Sequence, residues 1–160
     1  MNFPVWRDSR KVYRVNRVKE SDVNSTANLL AALTLSLASA ASWAQEKAVY
    51  HFDSGLEQAT KGLRNINNHL EVDPKARLIA VTHADGVDFL MEGAKDRFGP
   101  FDARVQDLMA RGVKFQVCEI TLRNRKLKKD QFILGVEFVP SGVVQITHLQ
   151  QKEGYAYLKP

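Results

Sequence analysis

Apolar positions along the chain alternate between short β-type runs and helix-spaced faces. Residues 48–52 (AVYHF) are rich in strand formers and stop at Asp53-Ser54-Gly55, a turn and helix-start signal. Leu56, Ala59, Leu63, Ile66 and Leu70 then recur at spacings of three and four, one face of an amphipathic helix. Asp73-Pro74 ends it, because proline disfavours helix in the residue before it. Residues 78–82 (LIAVT) are almost continuously apolar, as in a strand covered on both faces of a parallel sheet. After the break at His83-Ala84-Asp85-Gly86, the positions Val87, Leu90, Met91 and Ala94 predict a short helix, and Phe98-Gly99-Pro100 a loop.

Phe101, Val105, Leu108 and Met109 mark another helix, closed by Arg111 and Gly112. Residues 113–118 (VKFQVC) predict a third strand. Residues 121–133 predict a helix with Leu122, Leu127 and Ile133 inward and Arg123, Arg125, Lys126, Lys128 and Lys129 outward. A turn at Pro140-Ser141-Gly142 leads to a predicted fourth strand over residues 143–147 (VVQIT), and residues 154–160 add a short edge strand. Strands alternating with helices define an α/β protein, a three-layer sandwich with a central, mainly parallel sheet flanked by helices.

The amino-terminal part is of a different kind. Residues 29–41 (LLAALTLSLASAA) carry no charge, are short for a membrane span, and precede Ser42-Trp43-Ala44, which has the small residues of a cleavage site. Residues 1–44 are therefore expected to be a signal segment with a long amino-terminal region, and residues 45–160 the exported domain, periplasmic or secreted. Membrane attachment is expected only through an uncleaved signal. The net charge of +5 is uneven: residues 1–44 hold six Lys/Arg and three Asp/Glu, and the remaining 17 basic and 15 acidic residues leave +2. A nearly neutral domain argues against nucleic-acid binding.

Candidate chemistry lies at strand ends, where open α/β sheets bind ligands. His51 falls near the end of the first strand, His83 just after the second, and Cys118 at the end of the third. Neighbouring strands would bring them to one rim. Cys118 is the single cysteine, so it has no internal disulfide partner. It precedes a predicted helix and a basic run, which favour a thiolate, whereas Glu119 opposes it. The competing reading is a buried cysteine acting as a small hydrophobe. His51, His83 and Cys118 together could in principle hold a metal, but three singletons in separate segments are a weak signal and no metal is assigned. The Arg123–Lys129 run reads first as a solvated helix face and second as a docking face for an anion. There is no glycine-rich phosphate loop and no Ser-His-Asp signature, and no cofactor is expected.

Four segments resemble the DsrE/DsrF-like family: AVYHFDSGLEQATKGLRNINNHL, ARLIAVTHADGVDFLM, GVKFQVCEITLRNRKL and FVPSGVVQITHLQQKEGYAYLKP. The resemblance spans roughly residues 47–160. The resemblance implies a mainly parallel sheet flanked by helices and assembly into homotrimers or homohexamers. It also implies that a cysteine at the position of Cys118 accepts sulfane sulfur as a persulfide and passes it to a partner protein or small sulfur compound. Where the family often continues to an Arg-Gly pair, this chain has Arg125-Lys126. On this reading Cys118 is the reactive residue, with His51, His83, Asn124 and Arg125 as binding residues. The alternative is a non-catalytic oligomeric binding module with a structural cysteine.

Overall fold

The computed structural model describes residues 45–160; the expected signal segment lies outside the described residues. The chain runs β1 (Lys47–Phe52), α1 (Leu56–Val72), β2 (Arg77–Thr82), a 3₁₀ segment (Ala84–Leu90), a two-residue hairpin β3 (Lys95–Asp96) and β4 (Gly99–Pro100), and α2 (Phe101–Ala110). It continues through β5 (Lys114–Cys118), α3 (Glu119–Arg125), a 3₁₀ turn (Lys129–Gln131), β6 (Glu137–Val139), α4 (Gly142–Glu153) and β7 (Ala156–Leu158). The main sheet has the order β6-β5-β2-β1-β7, and every pairing in it is parallel. The expected α/β sandwich with a parallel sheet is what the chain forms. Among the described residues no helix is long and apolar enough to cross a membrane.

The pleat divides the core in two. Ala48, Tyr50 and Phe52 of β1, Leu78 and Ala80 of β2, and Phe115 and Val117 of β5 point to the face covered by α1, α2 and α3. Val49, Ile79 and Val81 point to the other face, where Ile146 and Leu149 of α4 and Tyr155 cover them. Successive side chains in a strand alternate between faces, so the near-continuous apolar runs of β1 and β2 serve both layers at once.

Phe89 of the 3₁₀ segment is the hub of the larger cluster. Its ring lies 5.1 Å from Phe52, 5.7 Å from Phe101 and 6.2 Å from Phe115, centroid to centroid. The segment sits against the end of β1 so closely that a Cβ on Gly86 would lie 2.3 Å from the Phe52 carbonyl. Nearby, Asp96 anchors the hairpin to α2 through Arg104 at 3.0 Å and to α1 through Thr60.

Two expected elements are different in the structure. Residues 143–147 are not a strand; they lie in α4. Ser141 caps that helix by accepting from the Val144 amide at 3.4 Å, and Gly154 ends it in the left-handed region. Ile146 and Leu149 face the sheet while Val143 and Val144 are exposed, so the β-branched run follows a helical period. The fourth main-sheet strand of the core is instead the three-residue β6, paired with β5. The helix expected over residues 121–133 stops after Arg125, where Lys126 takes a left-handed conformation with φ 56°. Phe132 and Ile133 then enter the core from a non-helical segment. The helix expected around Val87 and Leu90 is the tighter 3₁₀ segment.

Truncating Phe89 removes a ring shared by β1, α2 and β5. Phe89→Ala is expected to destabilise the domain by about 3–5 kcal/mol, read as a lower midpoint in urea denaturation.

Candidate functional site

The carboxyl ends of β1, β2 and β5 lie side by side, because β2 pairs with both β1 and β5. His51 pairs in register with Val81, and Thr82 with Val117. His51, Asp53 and His83 share the odd-numbered parity of Val49, Ile79 and Val81, the face of α4. Cys118 lies across the pleat from Val117, and so comes to that face as well. The rim convergence expected from the strand ends is thus present in the geometry for His51, His83 and Cys118.

The amino end of α4 closes over this rim. A Cβ on Gly142 would lie 3.3 Å from the Cβ atoms of both Cys118 and His83, and 3.4 Å from the Thr82 carbonyl oxygen. Glycine at this position lets the helix start directly above the thiol.

The groups that favour the Cys118 thiolate are the backbone amides of Gly142, Thr121 and Ile120, and the Thr121 hydroxyl. Burial pushes the thiol up, yet these donors outweigh it and hold it below the ordinary value of a cysteine. Thr121 is itself fixed: its Oγ1 accepts from the Ala84 amide at 3.0 Å, leaving its O–H for the sulfur. Ala84 takes φ 50°, in the left-handed region that few residues other than glycine adopt. Its carbonyl accepts from Arg125 at 3.0 Å. The strained residue is tied at both ends to the segment that follows Cys118.

Cys118 is 4% exposed, but it lines a surface cavity of about 440 Å³ with His83, Thr121, Asn124, Arg125 and the exposed apolar lip of Ile120 and Val143. Of the larger hollows elsewhere, those between α1 and α2 and at the amino ends of the strands contain neither a thiol nor a histidine, and one beside α1 and Lys159 has His69 but no thiol. Asn124 is exposed at the cavity wall. The Arg125 guanidinium is already engaged, 2.7 Å from Asp88 and 3.7 Å from Asp85. Of the basic run, Lys129 pairs with Glu119 at 2.5 Å, so the acid next to the thiol is partly neutralised.

His51 and His83 form a second, adjoining group. Their Nε2 atoms are 2.7 Å apart, one imidazole donating to the other. Nδ1 of His51 is bonded to the Tyr157 hydroxyl at 2.7 Å. Burial, and then the charge of His83, lower the His51 pKa. Asp53 accepts from Lys159, Ser54 and Gln58. The Lys159 ammonium, aided by Ser54 and opposed by burial, lowers the Asp53 pKa to about 2.

Asp53, Thr121, Gly142, Tyr157 and Lys159 were not singled out in the sequence. Asp53 and Gly142 read as turn residues, and Thr121 as the start of a helix. Only strand parity, applied to 49-51-53 and 79-81-83, points to Asp53. His69 and His148 lie apart from this rim, bonded to Tyr50 and 3.5 Å from Glu153 respectively.

The chain is an α/β protein with a parallel main sheet and a cysteine at its carboxyl rim. The chain belongs to the DsrE/DsrF-like family, whose model matches residues 15–160. Among solved structures it is similar to MTH1491 from Methanobacterium thermoautotrophicum, a protein of unknown function, at 30% identity and a TM-score of 0.64, covering 72% of this chain and all of that one. It is also similar in fold to the ychN protein from E. coli, at 19% identity and a TM-score of 0.61, covering 72% of this chain and 99% of that one. No curated protein matches the chain.

Thr121→Val removes the hydroxyl donor while keeping the side-chain shape. A hydrogen bond to a charged group contributes about 1.5–3 kcal/mol, so the variant should hold roughly tenfold less thiolate at neutral pH. Because the wild-type pKa is lowered, its alkylation by iodoacetamide should level off at a lower pH than the variant's. Equal rate profiles for the two proteins would show that Thr121 does not act on the sulfur.

Proposed function

We propose that the protein is a sulfur-relay carrier in which Cys118 accepts sulfane sulfur as a persulfide and passes it to a partner thiol. The observation that carries this reading is the placement of Cys118 at the carboxyl rim, lining a cavity under the start of α4, where neighbouring amides and the Thr121 hydroxyl favour its thiolate. A lowered pKa supplies thiolate at neutral pH, and thiolate is the nucleophile.

In the first step the Cys118 thiolate attacks the outer sulfur of a donor R–S–SH. The donor S–S bond breaks, R–S⁻ leaves, and Cys118 becomes Cys–S–SH. In the second step an acceptor thiolate attacks that outer sulfur, and Cys118 leaves again as thiolate. Neither step needs an external oxidant or a cofactor. The same amides that stabilise the resting thiolate stabilise it as the leaving group. His83 borders the cavity on one side and Asn124 on the other, where they can orient the incoming donor. Arg125 acts by fixing Ala84 and the acids around it, since its charge is already paired.

Export of residues 45–160, inferred from the apolar run and the small residues before Gln45, belongs to this proposal. So does assembly into a homotrimer or homohexamer. The exposed Val143, Val144 and Ile120 beside the thiol supply an apolar surface for such contacts. The same surface, with Cys118 only 4% exposed, favours the second reading, an oligomeric binding module with a structural cysteine.

Intact mass before and after polysulfide treatment separates the two. A gain of about one sulfur atom on folded wild type, absent in Cys118→Ser and reversed by a reducing thiol, is the expected result. Labelling that requires denaturation would reject the carrier and leave the binding module.

A further inference from the structure

The His51–His83 contact is not accounted for by the sulfur chemistry, and a third ligand-type group faces it. We propose that His51, Asp53 and His83 form a site for a divalent first-row transition ion of the zinc type.

Three observations support it. First, both histidines present Nε2 to the same point, and one atom from each of His51, Asp53 and His83 lies within 4.8 Å of the other two. A tetrahedral zinc ion with Zn–N bonds of about 2.0–2.1 Å places two nitrogens about 3.3 Å apart. The present separation is 2.7 Å, so the rings need to part by only about 0.6 Å to admit the ion. Second, the orientation of His51 is set from behind, by the Tyr157 hydroxyl on Nδ1. Metal-bound histidines commonly have such an outer partner, which fixes the ring and its tautomer. Third, the Asp53 carboxylate already holds a cation, the Lys159 ammonium. The Lys159 side chain is 47% exposed, so an incoming ion can displace it toward solvent.

The donor set narrows the ion. Two imidazoles and one carboxylate suit zinc and its neighbours rather than calcium or magnesium, which take oxygen ligands. Three protein ligands leave a fourth position open, and all three residues are half-buried rather than enclosed. Cys118 is not among the ligands, because it lies outside the group of converging atoms. The site shares His83 with the cavity of the persulfide reading but does not need Cys118, so either reading can fail alone.

Cobalt(II) added to the purified full chain is the direct probe, with zinc(II) as competitor. The expected result is one saturable cobalt per chain, with the visible bands of a four-coordinate ion and no thiolate-to-cobalt charge-transfer band. Zinc should displace it, and Cys118→Ser should bind it unchanged. His83→Ala should weaken binding by about 100-fold or more, beyond the range for loss of an outer-sphere partner. Lys159→Ala, a change at an exposed side chain that removes the competing cation from Asp53, should tighten binding. Absence of saturable binding would overturn the proposal. So would cobalt binding that persists in a folded His83→Ala protein, that depends on Cys118, or that Lys159→Ala leaves unchanged or weakens.

Discussion

The parallel register of β1, β2 and β5 is the constraint on which the rest of this domain depends. Each strand is buried on both faces, so its alternation decides which side chains enter the larger core and which meet α4. A shift of one residue in a strand would exchange its two faces. It would turn Phe52 or Phe115 toward α4 and send His51 or Cys118 into the aromatic cluster around Phe89. The apolar core therefore fixes where the reactive side chains go, and no separate device is needed to bring them to one rim.

Above that rim, the chemistry of Cys118 rests on a balance between burial and hydrogen bonding. Burial alone would keep the thiol protonated. The start of α3 and the start of α4 contribute amides from opposite sides, and Thr121 adds its hydroxyl. That convergence requires α4 to begin almost in contact with Cys118 and His83, which glycine at 142 permits. It also requires the turn after β2, where Ala84 is held in a costly conformation by Thr121 and Arg125. The adjoining histidine pair lies on the same surface but is organised from β7 and the tail, through Tyr157 and Lys159.

Much of this was legible in the chain because it depends on local patterning. The helix face Leu56-Ala59-Leu63-Ile66-Leu70 and the doubly buried LIAVT strand follow from apolar spacing, and both are as expected. The VVQIT segment misled because β-branched residues suit a strand, while the Ser141 cap and the inward spacing of Ile146 and Leu149 favour a helix. The end of α3 at Lys126 was hidden because a left-handed lysine leaves no sign in the sequence. At the site, His51, His83 and Cys118 could be found as strand-end residues. Gly142, Tyr157 and Lys159 could not, because their roles depend on contacts across 24 or more residues of sequence, as between Cys118 and Gly142, and Thr121, three residues from Cys118, is held by the Ala84 amide 37 residues away. Such contacts follow from strand order, which periodicity does not encode.

The central claim is that folding itself lowers the pKa of the Cys118 thiol. With a single cysteine in the chain, ultraviolet absorbance of the thiolate against pH reads that residue alone, once tyrosine ionisation is subtracted using Cys118→Ser. The account predicts a lower midpoint in the folded protein than in the same protein unfolded in denaturant, where the thiol should titrate near about 8.5. A folded midpoint equal to or above the unfolded one would contradict it, and would leave Cys118 as a packed, unreactive side chain.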